Sequence, residues 1–176
     1  VYVLLAIEAN RIPWMLLGIT IYVIACYYVI LLFNLIIKII ENPIQNYYMN
    51  RAKNLLKQMN QLTVIGLTGS YGKTSSKNIL SDILNIKYNA LPTPKNLNTF
   101  NGLIMTVNNH MDKFTDIFIA EMGAYVKGEI RRLCKLVKPK YGILTRIGTA
   151  HLEPFGSQEN IQKGKFELIE SLPSES

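Results

Sequence analysis

Cysteine and histidine are scarce in this chain: 176 residues include two of each. Cys26 and Cys134 stand far apart and offer neither a disulfide framework nor a metal-ligand spacing. Each reads as a small buried hydrophobe in a reducing setting. Charge is missing altogether from residues 12–37, where Leu, Ile, Val and Tyr dominate. Acidic residues are also in the minority, 12 against 19 Lys and Arg, for a net charge of +7. That excess is modest and spread out, so it does not call for nucleic acid as a partner.

The uncharged stretch splits the chain into unlike parts. At about 26 residues it extends roughly 39 Å as a helix, enough to cross a bilayer with some tilt. A buried helix of a soluble protein is rarely apolar on every face for that length, and a cleaved signal peptide has a shorter apolar core. A transmembrane helix over about residues 12–37 is the expectation, within a membrane segment 1–41. Residues 1–7 are apolar as well and read as the tail of an earlier span, joined through the polar Glu8-Ala9-Asn10-Arg11. Lys38, Arg51, Lys53 and Lys57 follow the span, against Arg11 before it, which puts everything after Lys38 in the cytoplasm. Residues 42–61 then form a basic juxtamembrane linker. Its part Ile44 to Met59 reads as a partly amphipathic helix, either lying on anionic headgroups or serving as a solvated linker. The start at Val1 and the stop at Ser174-Glu175-Ser176 suggest a piece of a longer protein.

From residue 62 to 176 the pattern changes. Apolar runs alternate with helical periodicity, the mark of βαβ units and a largely parallel α/β sheet. Strands are expected over 62–67, 88–91, 117–120 and 141–145, and helices over 74–86, 99–109, 128–138 and 158–172. Ser157 is placed as an N-cap and Pro173 as a stop for the last helix. Arg131, Arg132, Lys135 and Lys138 read as a solvated helix face.

The most informative string is Gly66-Leu67-Thr68-Gly69-Ser70-Tyr71-Gly72-Lys73-Thr74, between the first strand and a helix that continues from Ser75. A glycine-rich loop there, a P-loop, aims backbone N–H groups and a helix N-terminus at one point, which suits a nucleotide phosphate. Lys73 adds a positive charge for the terminal phosphates of ATP, and the Thr74 hydroxyl is a Mg²⁺ ligand. The general pattern asks for glycine where Leu67 stands. In open α/β sheets, ligands bind beyond the carboxyl ends of the strands. Thr93, Asn96 and Asn98 follow the second strand, Glu121 ends the third and His151 follows the fourth, so all gather with the loop on one edge. Glu121 reads as a hard-oxygen ligand for Mg²⁺ or as the cap of a turn. His151 reads equally as a metal or phosphate group and as a structural hydrogen-bonding residue. Asn96 and Asn98 also suit turns for local reasons, and His110 reads as a surface residue.

Together these segments resemble the Mur ligases, ATP-dependent amide-forming enzymes of peptidoglycan precursor synthesis. The loop from Thr68 to Thr74 is similar to that family's, including the missing early glycine. Thr93-Pro94-Lys95-Asn96-Leu97-Asn98 resembles its asparagine loop, and Glu121-Met122-Gly123-Ala124 its acidic strand end. The longest match runs from Gly148 through His151 to Ser157, then Glu159-Asn160-Ile161, Lys165 and Glu167. It is most similar to members that add D-alanyl-D-alanine to a muramoyl tripeptide.

The resemblance implies an incomplete central domain in which a substrate carboxylate attacks the γ-phosphate of ATP and an amine displaces the resulting acyl phosphate. It implies Thr74 and Glu121 at one Mg²⁺, and His151 near a second. It also implies that Lys165 is carbamylated, which turns a cation into an oxygen ligand for Mg²⁺. The implied partners are a muramoyl-peptide precursor and an amino acid or dipeptide; the apolar segment adds the membrane and, by tethering, other cell-wall enzymes as expected partners. A membrane segment stands where the family has its uridine-nucleotide domain, and the domain receiving the amine is missing, so this piece alone is expected to show no turnover. Action at the membrane on a lipid-linked precursor is a further expectation. Other open readings are a folate-polyglutamylating relative, a non-catalytic nucleotide-binding scaffold and a transport or signalling ATPase.

Overall fold

A computed structural model describes residues 2–150 and 152–174. The chain divides between Asn46 and Tyr47 into two compact units. One helix, α1 (Tyr2–Gln58), supplies the described residues of the first and enters the second. It runs unbroken through residues 8–11, where the sequence suggested a polar connection between two apolar segments. Glu8-Ala9-Asn10-Arg11 itself contains no glycine or proline, and the helix also carries through Pro13, which cannot donate to the Ala9 carbonyl. Large apolar side chains from Trp14 to Ile40 are exposed. Among the described residues this is one helix long and apolar enough to cross a membrane, judged by length and composition.

The second unit is an α/β sheet. Its strands are β1 (Thr63–Thr68), β2 (Ala90–Pro92), β3 (Ile117–Glu121) and β4 (Tyr141–Leu144), in the order β2-β3-β1-β4 and all parallel. Helices α2 (Lys73–Leu84), α3 (Phe100–His110), α4 (Glu129–Val137), α5 (Leu152–Phe155) and α6 (Gln158–Glu170) connect or flank them. The period of two along β3 explains the two cores. Ile117 and Ile119 pack with Ala90, Ile65, Leu80 and Leu84, the last two from α2. Phe118 and Ala120 point the other way, into a larger cluster with Leu103 of α3, Leu133 of α4 and Leu168 of α6.

The segment from Ile44 to Met59, left between two readings by the sequence, has a structural use of its own. Ala52 is fully buried in the larger core, with Met49, Leu55 and Leu56 beside it, while Lys53 and Lys57 stay exposed. The Asn108 amide also donates to the Tyr48 carbonyl at 2.9 Å.

Strand β2 starts two residues later than the periodicity suggests. The Asn85 side chain pairs with both backbone groups of Ala90, at 2.9 and 3.1 Å, so the intervening residues turn instead of extending. Helix α5 is a single short turn that the periodicity does not mark. Ser157 does cap α6, accepting the Asn160 N–H at 3.1 Å, and Arg131, Arg132, Lys135 and Lys138 are exposed as expected.

Candidate functional site

Because every strand pairing is parallel, the carboxyl ends share one edge, and the loops leaving it carry the glycine-rich string, the asparagines and Glu121. After β1 the chain turns through Gly69 (φ 152°) and Gly72 (φ 81°), both in the region that disfavours side chains. A Cβ on Gly69 would lie 1.8 Å from Thr145 Oγ1. That hydroxyl laces the loop, within hydrogen-bond reach of the Tyr71 carbonyl (2.7 Å) and the Thr68 carbonyl (3.2 Å). Gly148 likewise leaves room for the Tyr71 ring, which a Cβ there would meet at 2.4 Å.

The loop's amides divide into two sets. Ser70 and Tyr71 both donate to the Arg146 carbonyl, at 2.9 and 3.3 Å. Gly72 is the N-cap of α2 and brings no side chain, so helix geometry leaves the first-turn amides of Lys73, Thr74 and Ser75 without intrahelical partners. An anion at this loop therefore meets the first turn of α2 before it meets the loop. Lys73 folds back, its ammonium donating to the Gly69 carbonyl at 2.8 Å. Burial pulls its pKa below the usual lysine value, and the negative charge of Glu121 partly opposes this.

Glu121, at the end of β3 and 2 % exposed, is the hub. Its Oε1 accepts from Asn98 Nδ2 at 3.1 Å, and the Thr74 hydroxyl lies 3.3–3.4 Å from both carboxylate oxygens. Its backbone N–H donates to Thr93 Oγ1 at 3.1 Å. Asn96 is exposed, and its carbonyl accepts the Asn98 N–H. Thr68 is buried and donates to the Met122 carbonyl at 2.8 Å, tying the ends of β1 and β3 together.

Lys165, on α6, is 1 % exposed and its ammonium faces the Ala124 carbonyl at 3.4 Å. Burial, reinforced by the positive charge of Lys73 and opposed by Glu129, lowers its pKa to about 8. That makes a neutral amine accessible near physiological pH. His151 lies outside the described residues. His110 is an exposed residue at the end of α3.

Sequence reasoning missed three participants. Lys77 is 2 % exposed and pairs with Glu121 at 3.1 Å. One turn after Lys73, it shares the inward stripe of α2 with Ser81 and Leu84, but Ile79 and Ile83 make the opposite stripe more apolar, so periodicity does not mark it. Thr145, which laces the loop, is the second and has no signal beyond its place at the end of an apolar run. Glu167 had no assigned role, yet it caps α4, accepting the N–H groups of Gly128 (2.7 Å) and Arg131 (3.0 Å).

Among the described residues no cluster of three or more carboxylate, imidazole or thiol groups gathers. The hydroxyl of Thr74 and the carboxylate of Glu121 are nonetheless hard oxygen donors in contact, the set Mg²⁺ prefers when phosphates and water complete its shell.

Comparison with known proteins gives one consistent answer. The Mur ligase middle domain matches residues 67–176. UDP-N-acetylmuramoyl-tripeptide–D-alanyl-D-alanine ligase of Bacillus subtilis is 35% identical over 143 residues, which is 76% of this chain and 31% of that enzyme. The Escherichia coli enzyme of the same name is 36% identical, over 67% of this chain and 26% of its own. The crystal structure of MurF ligase from Thermotoga maritima in complex with ADP superposes with a TM-score of 0.68 and 37% identity, covering 72% of this chain and 29% of that one. The chain thus spans less than a third of the length of these relatives.

Proposed function

The chain belongs to the Mur ligase family, and on that premise we propose that its sheet unit is the nucleotide-binding part of an ATP-dependent ligase that forms an amide bond in a peptidoglycan precursor. The observation that carries this reading is the meeting of three groups on one sheet edge. These are the side-chain-free N-terminus of α2, the Lys73 ammonium and the Thr74–Glu121 pair.

In this reading the first-turn amides of α2 receive the phosphates of ATP, and Lys73 exchanges its Gly69 carbonyl partner for a phosphate oxygen. Thr74 and Glu121 hold Mg²⁺, which supplies neutralisation of charge at the phosphates. Asn98 fixes the Glu121 carboxylate from the β2–α3 loop. Lys165, in its deprotonated fraction, is an amine able to take up CO₂ with release of a proton, and the carbamate would add hard oxygen donors on the same edge. The acceptor is a carboxylate of a muramoyl peptide, activated as an acyl phosphate, and the incoming amine is D-alanyl-D-alanine. The names of the relatives support that choice of substrates.

We also infer that α1 anchors this unit to a membrane, on the strength of its uncharged residues 12–37. Resistance to alkaline carbonate extraction is expected, and recovery of the chain in the soluble fraction would sink the anchoring.

The test of the nucleotide reading is ADP binding by the full chain, followed with a fluorescent ADP. Binding is expected to tighten with Mg²⁺, to weaken at least tenfold in Lys73→Ala, and to lose its Mg²⁺ dependence in Glu121→Gln. No binding by the wild-type chain, or equal binding by Lys73→Ala, would overturn it.

A further inference from the structure

Lys77 is a member of this cluster that the proposed chemistry leaves without a task. Its side chain crosses the interior beneath the site, 2 % exposed, and ends between two acceptors. These are Glu121 Oε2 at 3.1 Å and the Lys95 carbonyl at 2.9 Å. A lysine is rarely enclosed so completely unless it is paired, and here both partners come from loops and strand ends of the same edge. Lys95 is itself unusual. Among the described residues it is one of two non-glycine residues with positive φ, at 48°, a conformation that L side chains adopt at a cost. The turn at Lys95 brings Leu97 N–H to the Pro94 carbonyl and Asn98 N–H to the Asn96 carbonyl, which sets Asn98 against Glu121.

We propose that Lys77 is a positioning residue that ties three pieces into one frame: α2, the β2–α3 loop and Glu121. It holds Oε2 of the carboxylate from below. Oε1, steadied by Asn98, and the Thr74 side are then left to a metal-bound nucleotide. It also clasps the strained turn that leads through Asn96 and Leu97 to Asn98. The role rests on the nucleotide reading for its purpose, but its geometry stands without it.

The test compares the full chain with Lys77→Met, which keeps the buried stem and removes the charge, and with Lys77→Arg, which keeps the charge. Hydrogen exchange needs no ligand. In Lys77→Met the amides of Leu97 and Asn98 are expected to exchange at least tenfold faster, with the β1 and β3 amides unchanged. In the fluorescent ADP assay, the Mg²⁺ concentration for half effect is expected to rise at least fivefold, while metal-free ADP binding changes less than twofold. Adding Lys77→Met to Glu121→Gln is expected to change ADP binding no further, because the Mg²⁺ dependence is already lost in Glu121→Gln.

Exchange at 97–98 unaltered, or lost protection spread evenly over the sheet, overturns the proposal in favour of a purely packing role. Lys77→Arg is expected to keep near wild-type exchange; if Lys77→Met does not fold, Lys77→Gln, uncharged and too short to reach both acceptors, decides. Exchange at 97–98 faster than wild type, with the strands unchanged, supports the frame; wild-type exchange at those amides overturns it. A wild-type chain that binds no ADP refutes the nucleotide reading alone, since the exchange result still judges Lys77.

Discussion

Alanine at Gly69 should be among the most damaging small substitutions in the sheet unit. The added Cβ would lie 1.8 Å from Thr145 Oγ1, 3.0 Å from its Cβ and 3.2 Å from its carbonyl carbon. Rotating the Thr145 side chain relieves the first contact but leaves the other two, because Cβ and the backbone cannot move independently of β4. Three costs follow. Alanine at φ 152° occupies a region essentially reserved for glycine, about 1–3 kcal/mol. An overpacked site costs about 1–3 kcal/mol more. A displaced Thr145 loses its hydrogen bond to the Tyr71 carbonyl, about 1 kcal/mol.

The total, roughly 3–7 kcal/mol, is a large share of the roughly 5–15 kcal/mol typical of a whole domain. Urea denaturation of wild type, Gly69→Ala, Thr145→Ala and the double variant measures it. Thr145→Ala removes the nearest atom, so the double variant should be less damaged than the sum of the singles by about 1–2 kcal/mol. A Gly69→Ala cost below about 1 kcal/mol, or strict additivity, would refute the steric argument. ADP binding gives the functional reading, because the same shift carries Tyr71 and the N-terminus of α2 with it.

Two further outcomes can be measured on the same preparations. Lys165 titrates near 10.5 when unfolded and near 8 when folded, so between those values the unfolded chain binds more protons and stability rises with pH. Below the folded value the penalty of burying the charge is fully present, at most about 3 kcal/mol. Lys165→Met should therefore be more stable than wild type near neutral pH, with the difference shrinking as pH rises towards 10.5; a difference that does not change with pH would count against a buried lysine charge. Glu167→Ala should cost about 2–3 kcal/mol, because two charge-assisted bonds to the N-terminus of α4 disappear where Gly128 offers no side-chain cap. Glu167→Gln, which keeps acceptor oxygen, should lose about half as much, and a denaturation midpoint unchanged in Glu167→Ala would show that the cap is dispensable.

Most of the site was legible because its parts are consecutive or end a strand. Residues 68–74 announce a loop by glycine, and Glu121 announces itself as a charge closing the apolar run 117–120. The parallel order of strands then brings these ends together without any further information. What was hidden depends on partners far apart in sequence. The burial of Lys77 exists because Lys95 and Glu121 arrive from other elements.

Helix α2 shows why periodicity alone misleads there. Its outward stripe, Ile79 and Ile83 with Ile86 just past its end, is strongly apolar yet 61%, 58% and 85% exposed. The inward stripe carries Lys77 and Ser81 beside Leu80 and Leu84. Placing the most apolar face inward would turn the helix over and put Lys77 in solvent. The actual orientation follows from the loop instead. Gly69 and Gly72 fix how α2 leaves β1, and with that angle set, position 77 falls one turn below Lys73 on the side facing Glu121. The polar pairing at the strand edge and the glycine turn, more than apolar burial, therefore decide which face of α2 is inside. If so, Lys77→Met keeps the helix seated, because its stem and the turn survive, and what it loses is confined to the Glu121 and Lys95 ends.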